Sequence, residues 1–232
     1  MITAAGLCPF PPILVRQLTG AEPVAPELRE ACSLLVARLI EKTPDVLVVV
    51  GPGPRTEIWP PDARLDPALF APMGSASKSV LPASLGIGSY LLDQSPYEGR
   101  RVLQAVDVHA SAGTCAALAH ELASSSDRVA LLAMGDGSAR RTLKAPGYLD
   151  PRAIPFDDQV VRALEAADFQ ALAQVDGDLA RDLMASGWLA WQVLAGALRS
   201  MPATVEVLYK DDPFGVLYFV AAYTPRADHY RD

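Results

Sequence analysis

An uninterrupted apolar run constrains the fold of this chain more than any other feature. The five residues Val46 to Val50 are all apolar, and four of them are β-branched valines. A strand with one face in water alternates polar and apolar residues, whereas a parallel strand covered on both faces does not. The apolar run from Val129 to Met134 has the same character. Both runs therefore predict buried parallel strands, which need helices on both faces of their sheet.

The segments around these runs supply the other elements of an α/β fold. Apolar residues recur at helical spacing from Pro26 to Lys42, which predicts an amphipathic helix. The further predicted strands are Ile2 to Leu7, Arg101 to Val106, Val205 to Tyr209 and Gly215 to Ala222, and the further predicted helices are Ser84 to Gln94, Gly113 to Ala123, Asp157 to Ala167, Asp178 to Ala185 and Trp188 to Ser200. Residues Arg55 to Val80 are predicted to form a long loop. We expect one domain, residues 1–232, with a mixed, mostly parallel central sheet, helices on both faces, and a C-terminal β-hairpin across Lys210 to Phe214.

Composition and charge exclude several classes of protein. The 232 residues are 50% hydrophobic and carry a net charge of −7, whereas nucleic-acid binding favours clustered Lys and Arg. We expect no membrane span, because no run of about twenty apolar residues occurs, and no signal peptide. The three cysteines lack CxxC spacing, which indicates buried reduced thiols in a cytoplasmic protein. The preference for Arg over Lys indicates a GC-rich bacterial genome.

The loop after the second apolar run is the first candidate for a functional site. It reads Gly135-Asp136-Gly137-Ser138-Ala139-Arg140 and contains one carboxylate and one hydroxyl. Ligands of parallel α/β sheets bind beyond the carboxyl ends of the strands, so the loops after the other strands should lie nearby. Those loops are Cys8 to Pro12, Gly51 to Pro54 and Asp107 to His109. The resulting pocket candidates are His109, Asp136, Ser138 and Arg140.

Two further clusters are open between a structural role and a binding role. Arg140 and Arg141, with Lys144, either anchor a carboxylate or phosphate at the pocket mouth or belong to a solvated, structurally paired loop. Trp188 and Trp191 stand on a predicted helix, where packing in the core or at an interface is favoured over a platform for a ligand.

Several short motifs, taken in chain order, resemble those of one enzyme family. The motifs are Pro9-x-Pro11-Pro12, the Val46 to Val50 strand, Asp107-x-His109, Gly135-Asp136-x-Ser138-x-Arg140, Pro146-Gly147-Tyr148-x-Asp150-Pro151, Phe156-Asp157, Trp191 to Ala197 and Pro213-Phe214-Gly215-Val216-x-Tyr218. With these motifs the chain resembles the LigB-like family, the catalytic B subunits of class III extradiol ring-cleavage dioxygenases, with the Memo proteins as distant relatives. The resemblance covers nearly the whole chain, and it implies the dioxygenase fold and a homodimer.

The resemblance also implies where catalytic groups would lie. Active members of the family hold Fe(II) through two histidines and a carboxylate, and a further histidine serves as acid and base. The resemblance places the iron histidines at Phe10 and Gly53 and the acid–base histidine at Ala139. It places the carboxylate near Ala185 to Gly187, where no acid occurs. Only His109 matches a histidine of the family, and that histidine lies on the substrate side of the pocket. It therefore implies that the usual Fe(II) chemistry is lost, and no cofactor is expected.

Two hypotheses follow from this resemblance. The first is a protein with the dioxygenase fold and no ring-cleavage activity, which acts as a small-molecule-binding or interaction protein. The second is a metal-dependent extradiol dioxygenase or related oxidoreductase with an altered site. In that site Fe(II) or another divalent metal would be held by His109 with Asp136, Glu57 or Asp212.

A third hypothesis comes from the residue types alone. Ser138 with His109 and either Asp107 or Asp136 contains the groups that a Ser-dependent hydrolase needs. Across the three hypotheses we expect a small-molecule ligand as partner, with neither nucleic acid nor a membrane involved.

Overall fold

The structure is a computed structural model that describes residues 1–20, 24–70 and 81–226. Its strands are β1 (Ile2–Cys8), β2 (Val46–Gly53), β3 (Glu57–Trp59), β4 (Arg100–Asp107), β5 (Val129–Met134), β6 (Ala203–Asp211) and β7 (Tyr218–Pro225). Its helices are α1 (Arg16–Thr19), α2 (Pro26–Ile40), α3 (Ala83–Asp93), α4 (Ala112–Ala123), α5 (Ala153–Glu165), α6 (Phe169–Ala173), α7 (Gly177–Asp182) and α8 (Trp188–Leu198). Within the described ranges no helix has the length and apolar character to cross a membrane.

The strand order confirms the predicted α/β architecture. The strands form one sheet in the order β3-β4-β2-β5-β1-β7-β6. The four inner strands β4, β2, β5 and β1 run parallel, whereas β3, β7 and β6 are antiparallel to their neighbours. The pair β6 and β7 is the predicted C-terminal hairpin.

The two faces of the sheet bury separate apolar cores. Val46, Val48 and Val50 belong to a core that also contains residues of α4, α5, α6 and α8. Leu47 and Val49 belong to a second core, with residues of α2 and α3. Successive side chains of a strand point to opposite faces, so a strand with a core on each side needs an apolar residue at every position. This is the physical reason that β2 has no alternation in its sequence.

The end of β2 and the loop that follows it differ from their predictions. The strand predicted to end at Val50 continues through Gly53, because β4 still pairs with it there, although its pairing with β5 has ended. Pro52 fits this one-sided stretch because one edge of the strand needs no hydrogen-bond donor. Part of the predicted loop Arg55 to Val80 is a strand, since β3 pairs with β4, and residues 71–80 of that loop lie outside the described residues.

Two predicted helices also have different bounds. The helix predicted from Asp157 begins at Ala153. Pro155 lies in its first turn, where a missing N–H removes no hydrogen bond of the helix. The helix predicted to reach Ala185 ends at Asp182, and the residues that follow it connect to α8.

Candidate functional site

The four predicted loops meet at one edge of the sheet. β1 and β5 end side by side, with Cys8 paired to Met134, and the last residues of β2 and β4, Gly53 and Asp107, are also paired. The N–H of Gly135 donates to the carbonyl of Cys8 over 2.8 Å. The expectation that these loops are neighbours is therefore confirmed. This edge is where parallel α/β proteins bind their ligands.

The loop that begins at Gly135 is held from two sides. On one side, a Cβ atom added to Gly135 would lie 2.4 Å from the Cα of Gly187, and the Gly187 N–H donates to the Asp136 carbonyl over 2.8 Å. On the other side, the Gly137 N–H donates to the Leu217 carbonyl over 2.8 Å. The stretch before β7, predicted as part of that strand, therefore pairs with this loop instead.

Asp136 links the loop after β5 to the loop after β1. Its Oδ1 accepts a hydrogen bond of 2.9 Å from the N–H of Phe10. Burial raises the pKa of Asp136 to about 7, and the hydrogen bond from Phe10 opposes that rise. Asp136 therefore titrates near neutral pH, because the charged form is poorly solvated there.

Ser138 is buried and bound to a carboxylate to which the sequence assigned no role. Asp157 on α5 accepts hydrogen bonds from the N–H and the Oγ of Ser138, at 2.9 and 2.6 Å, and from Nη1 of Arg141 at 2.8 Å. Burial raises the pKa of Asp157, and these hydrogen bonds oppose the rise. His109 lies exposed in the turn after β4. Ser138 thus donates to Asp157 and not to the histidine that the hydrolase hypothesis requires.

The basic cluster divides into residues with different surroundings. Arg141 is structurally paired, because its guanidinium donates to Asp157 and, through Nε, to Asp212 over 2.5 Å. Lys144 is exposed. Arg140 is half-buried, and its Nε is buried without a hydrogen-bond partner in the described part of the chain. The paired-loop interpretation holds for Arg141, and the binding interpretation stays open for Arg140.

An apolar cleft of about 300 Å³ opens beyond the carboxyl ends of β2 and β4 and beside α8. Its walls are formed by Pro52, Val108, His109, Ala180, Arg181, Met184, Ala185, Ser186, Trp188 and Leu189. The imidazole of His109 and the hydroxyl of Ser186 have no hydrogen-bond partner among the described residues. Trp188 and Trp191 both belong to the apolar core that contains α8, as predicted, and Trp188, which is 7% exposed, also lines the cleft.

Among the described residues, Arg181 is the one permanently charged group on the cleft wall. Its guanidinium carbon lies 5.4 Å from the centre of the Trp188 ring, a distance at which a cation is attracted to the ring face. Arg181 also pairs with Asp178, whose side chain is 91% exposed. Nothing in the sequence marks Arg181 as functional, because only the packing of the chain brings α7 and the turn after β4 to one cleft.

The described residues do not fit the iron site that the resemblance implies. The side chain of Phe10 has no atom that could bind a metal. A Cβ atom added to Gly53 would lie 2.8 Å from the Cβ of Ala105, which leaves no space for a longer side chain. Ala139 contributes only a methyl group, and its N–H donates to a backbone carbonyl. Within the described ranges there is no group of three or more His, Cys, Asp or Glu that could hold a metal.

The residues of the altered metal site have other partners in the structure. Asp136 accepts a backbone N–H, whereas Glu57 and Asp212 each pair with an arginine. His109 forms no hydrogen bond through its imidazole in the part of the chain that the structure describes. No hydrogen bond joins His109 to any of these carboxylates within the described residues, and an altered metal site stays a prediction.

Comparison with known proteins shows the fold alone. The sequence matches no model of a protein family and no curated protein. Among solved structures, the chain is similar to the uncharacterised protein JW3007 from Escherichia coli K12, with 19% sequence identity and a TM-score of 0.60. The similarity covers 96% of this chain and 99% of the other. It supports the α/β architecture, and the resemblance to LigB-like dioxygenases stays a prediction.

Proposed function

We propose that this protein binds a small, largely apolar molecule in the cleft beside α8, without the Fe(II) ring-cleavage chemistry of the family that it resembles. The observation that carries this proposal is the position of the cleft together with its lining. The cleft lies at the carboxyl edge of the parallel strands, where this class of fold binds ligands. Its mostly apolar walls carry a few polar groups, a combination typical of small-molecule sites.

The dimensions of the cleft favour a compact ligand. Its volume of about 300 Å³ is at the lower end of the range for ligand pockets, roughly 300 to 1,000 Å³. Met184 offers a polarisable thioether to an apolar ligand, and Trp188 adds a small exposed part of its ring to the wall. His109 and Ser186 supply a hydrogen-bonding imidazole and hydroxyl that would orient it.

The groups around the cleft favour binding over covalent catalysis. The cleft hydroxyl, Ser186, has no base hydrogen-bonded to it within the described ranges, and an unassisted hydroxyl is a weak nucleophile. The other serine of interest, Ser138, is buried against Asp157. The three cysteines are buried, which keeps their thiols from an external substrate.

A fragment screen with blocking variants tests the binding proposal. Neutral and charged aromatic fragments are screened against the protein by saturation-transfer NMR. Ser186→Trp and Val108→Trp each place an indole in the cleft from a different wall, and Ser33→Trp adds one to an exposed position of α2. We expect fragments that bind the unmodified protein to lose binding in both cleft variants and to keep it in the control.

Two outcomes would overturn the binding proposal. One is that no fragment binds the unmodified protein, and the other is that binding survives in both cleft variants while their melting temperatures match that of Ser33→Trp. Loss of iron chemistry has its own test, which is anaerobic purification with Fe(II) followed by metal analysis and catechol turnover. Tightly bound, near-stoichiometric iron, or ring opening of a catechol, would contradict that part of the proposal.

A further inference from the structure

We propose that the ligand of the cleft carries a carboxylate on its apolar body, and that Arg181 binds this carboxylate. The inference rests on the proposed function, because it names the chemical class of the molecule held in the same cleft. It starts from the charges on the cleft wall. Among the described lining residues there is one permanent cation, Arg181, and no carboxylate.

The position of Arg181 leaves its donors available to a ligand. Its guanidinium lies over the ring of Trp188, itself a wall of the cleft. Attraction to the ring restricts the position of the guanidinium without using its N–H groups as donors. Of the five N–H donors of an arginine, one is used within the described part of the chain, by Nη2 toward Asp178. A planar carboxylate can accept two of the remaining donors in parallel.

The pairing of Arg181 with Asp178 is of a kind that a ligand can replace. Asp178 is 91% exposed and three residues away on the same short helix, and exposed pairs of this kind contribute little to stability. A carboxylate on a ligand in the cleft would be further from bulk water and would bind the same guanidinium more strongly. Asp178 is thus a counter-ion of Arg181 that the carboxylate of a ligand can displace.

The neighbouring carboxylates do not favour a cationic ligand instead. Asp107, next to the cleft histidine, accepts the backbone N–H of His109 over 2.8 Å through Oδ1. Asp182, beside Arg181 on α7, pairs with Arg152 at 3.3 Å. The net charge of the chain is −7, so the protein as a whole does not attract anions, and an anion would be bound here by the charge of Arg181. Selection of an anion here is therefore a local effect of the Arg181 guanidinium.

The test compares two probes that differ in charge and share one body. Affinities of naphthalene-2-carboxylate and the neutral naphthalene-2-carboxamide are measured by titration calorimetry with the unmodified protein, with Arg181→Gln, and with Arg162→Gln. Arg162 is exposed on α5, so its variant matches the change in net charge. We expect the carboxylate to bind about fivefold tighter than the amide, a preference typical of one exposed ion pair. The preference is lost in Arg181→Gln and kept in Arg162→Gln, and added salt weakens it.

The outcomes separate this inference from the proposed function. Equal affinity for the two probes in the unmodified protein, or a preference that survives in Arg181→Gln, overturns the carboxylate inference and leaves binding in the cleft standing. Failure of both probes to bind the unmodified protein overturns the inference, and the proposed function falls with it when no fragment of the screen binds either.

Discussion

Removal of the Asp157 carboxylate should destabilise this protein more than any other single loss of charge at the carboxyl edge of the sheet. The side chain of Asp157 is 0% exposed and accepts three hydrogen bonds, two from Ser138 and one from Arg141. In Asp157→Ala the buried serine loses the partner of both its N–H and its hydroxyl. Within the described ranges, the guanidinium of Arg141, which is 14% exposed, keeps its ion pair with Asp212 alone. Buried donors without partners lose their solvation without compensation.

The magnitude follows from these partners. Each hydrogen bond to a charged acceptor contributes about 1.5–3 kcal/mol, and breaking a buried ion pair by removing one partner costs about 3–5 kcal/mol. Because Asp212 continues to bind Arg141, we expect a loss of about 3–5 kcal/mol in the free energy of unfolding, and not the full sum over three bonds. For a urea dependence of about 2–3 kcal/mol per molar, the midpoint should fall by about 1–2.5 M.

The assay is equilibrium unfolding in urea, followed by tryptophan fluorescence and by far-UV circular dichroism. Asp212→Ala is the matched control, because it removes the other carboxylate that pairs with Arg141 and leaves the buried hydrogen bonds of Asp157 in place. The Asp212 side chain is 36% exposed, so this variant should lose about 1 kcal/mol or less. Equal losses in the two variants would refute the argument that burial and the serine hydrogen bonds make Asp157 the dominant contact.

Two further predictions concern the same edge of the sheet. Gly135→Ala should lower the free energy of unfolding by about 1–3 kcal/mol, since the added Cβ would lie 2.4 Å from the Gly187 backbone. Gly113→Ala on α4 is the control, because a Cβ there has its nearest neighbour at 3.6 Å, and it should be neutral or gain up to about 1 kcal/mol. Similar urea midpoints for the two variants would contradict this prediction. Asp136→Asn keeps an acceptor for the Phe10 N–H and removes a carboxyl whose pKa burial raises to about 7. Between pH about 4 and about 7 the folded wild type binds more protons than the unfolded chain. Its stability relative to Asp136→Asn should therefore fall as the pH rises through that window, by at most about 1.4 kcal/mol per pH unit. A stability difference that stays constant across this window in urea unfolding would contradict the raised pKa of Asp136.

Much of the fold could be predicted because its signals are local. The run Val46 to Val50 predicts a strand buried on both faces, and its side chains do alternate between two cores. The same logic located the edge where the loops after β1, β2, β4 and β5 meet. Boundaries were less predictable at Pro52 and Pro155, because the effect of a proline depends on whether its missing N–H has a partner in the folded chain.

The side chains of the candidate site were only partly predictable. His109 was recognised because it directly follows a predicted strand, and it does line the cleft. Arg181 and Trp188 join it from elements far along the chain, and Asp157 reaches Ser138 across 19 residues. No periodicity or motif in the sequence specifies these meetings.

The sequence by itself determined which segments are buried strands, which are amphipathic helices, and which loops follow the parallel strands, because burial on one or two faces leaves its period in the residues. Only the tertiary structure decided that Leu217 pairs with the Gly137 loop, that Asp157 binds Ser138 and that α7 brings Arg181 to the cleft. These contacts join residues from distant parts of the chain, so their geometry depends on how the helices pack on the sheet. The cleft and its charge are therefore properties of the packed fold.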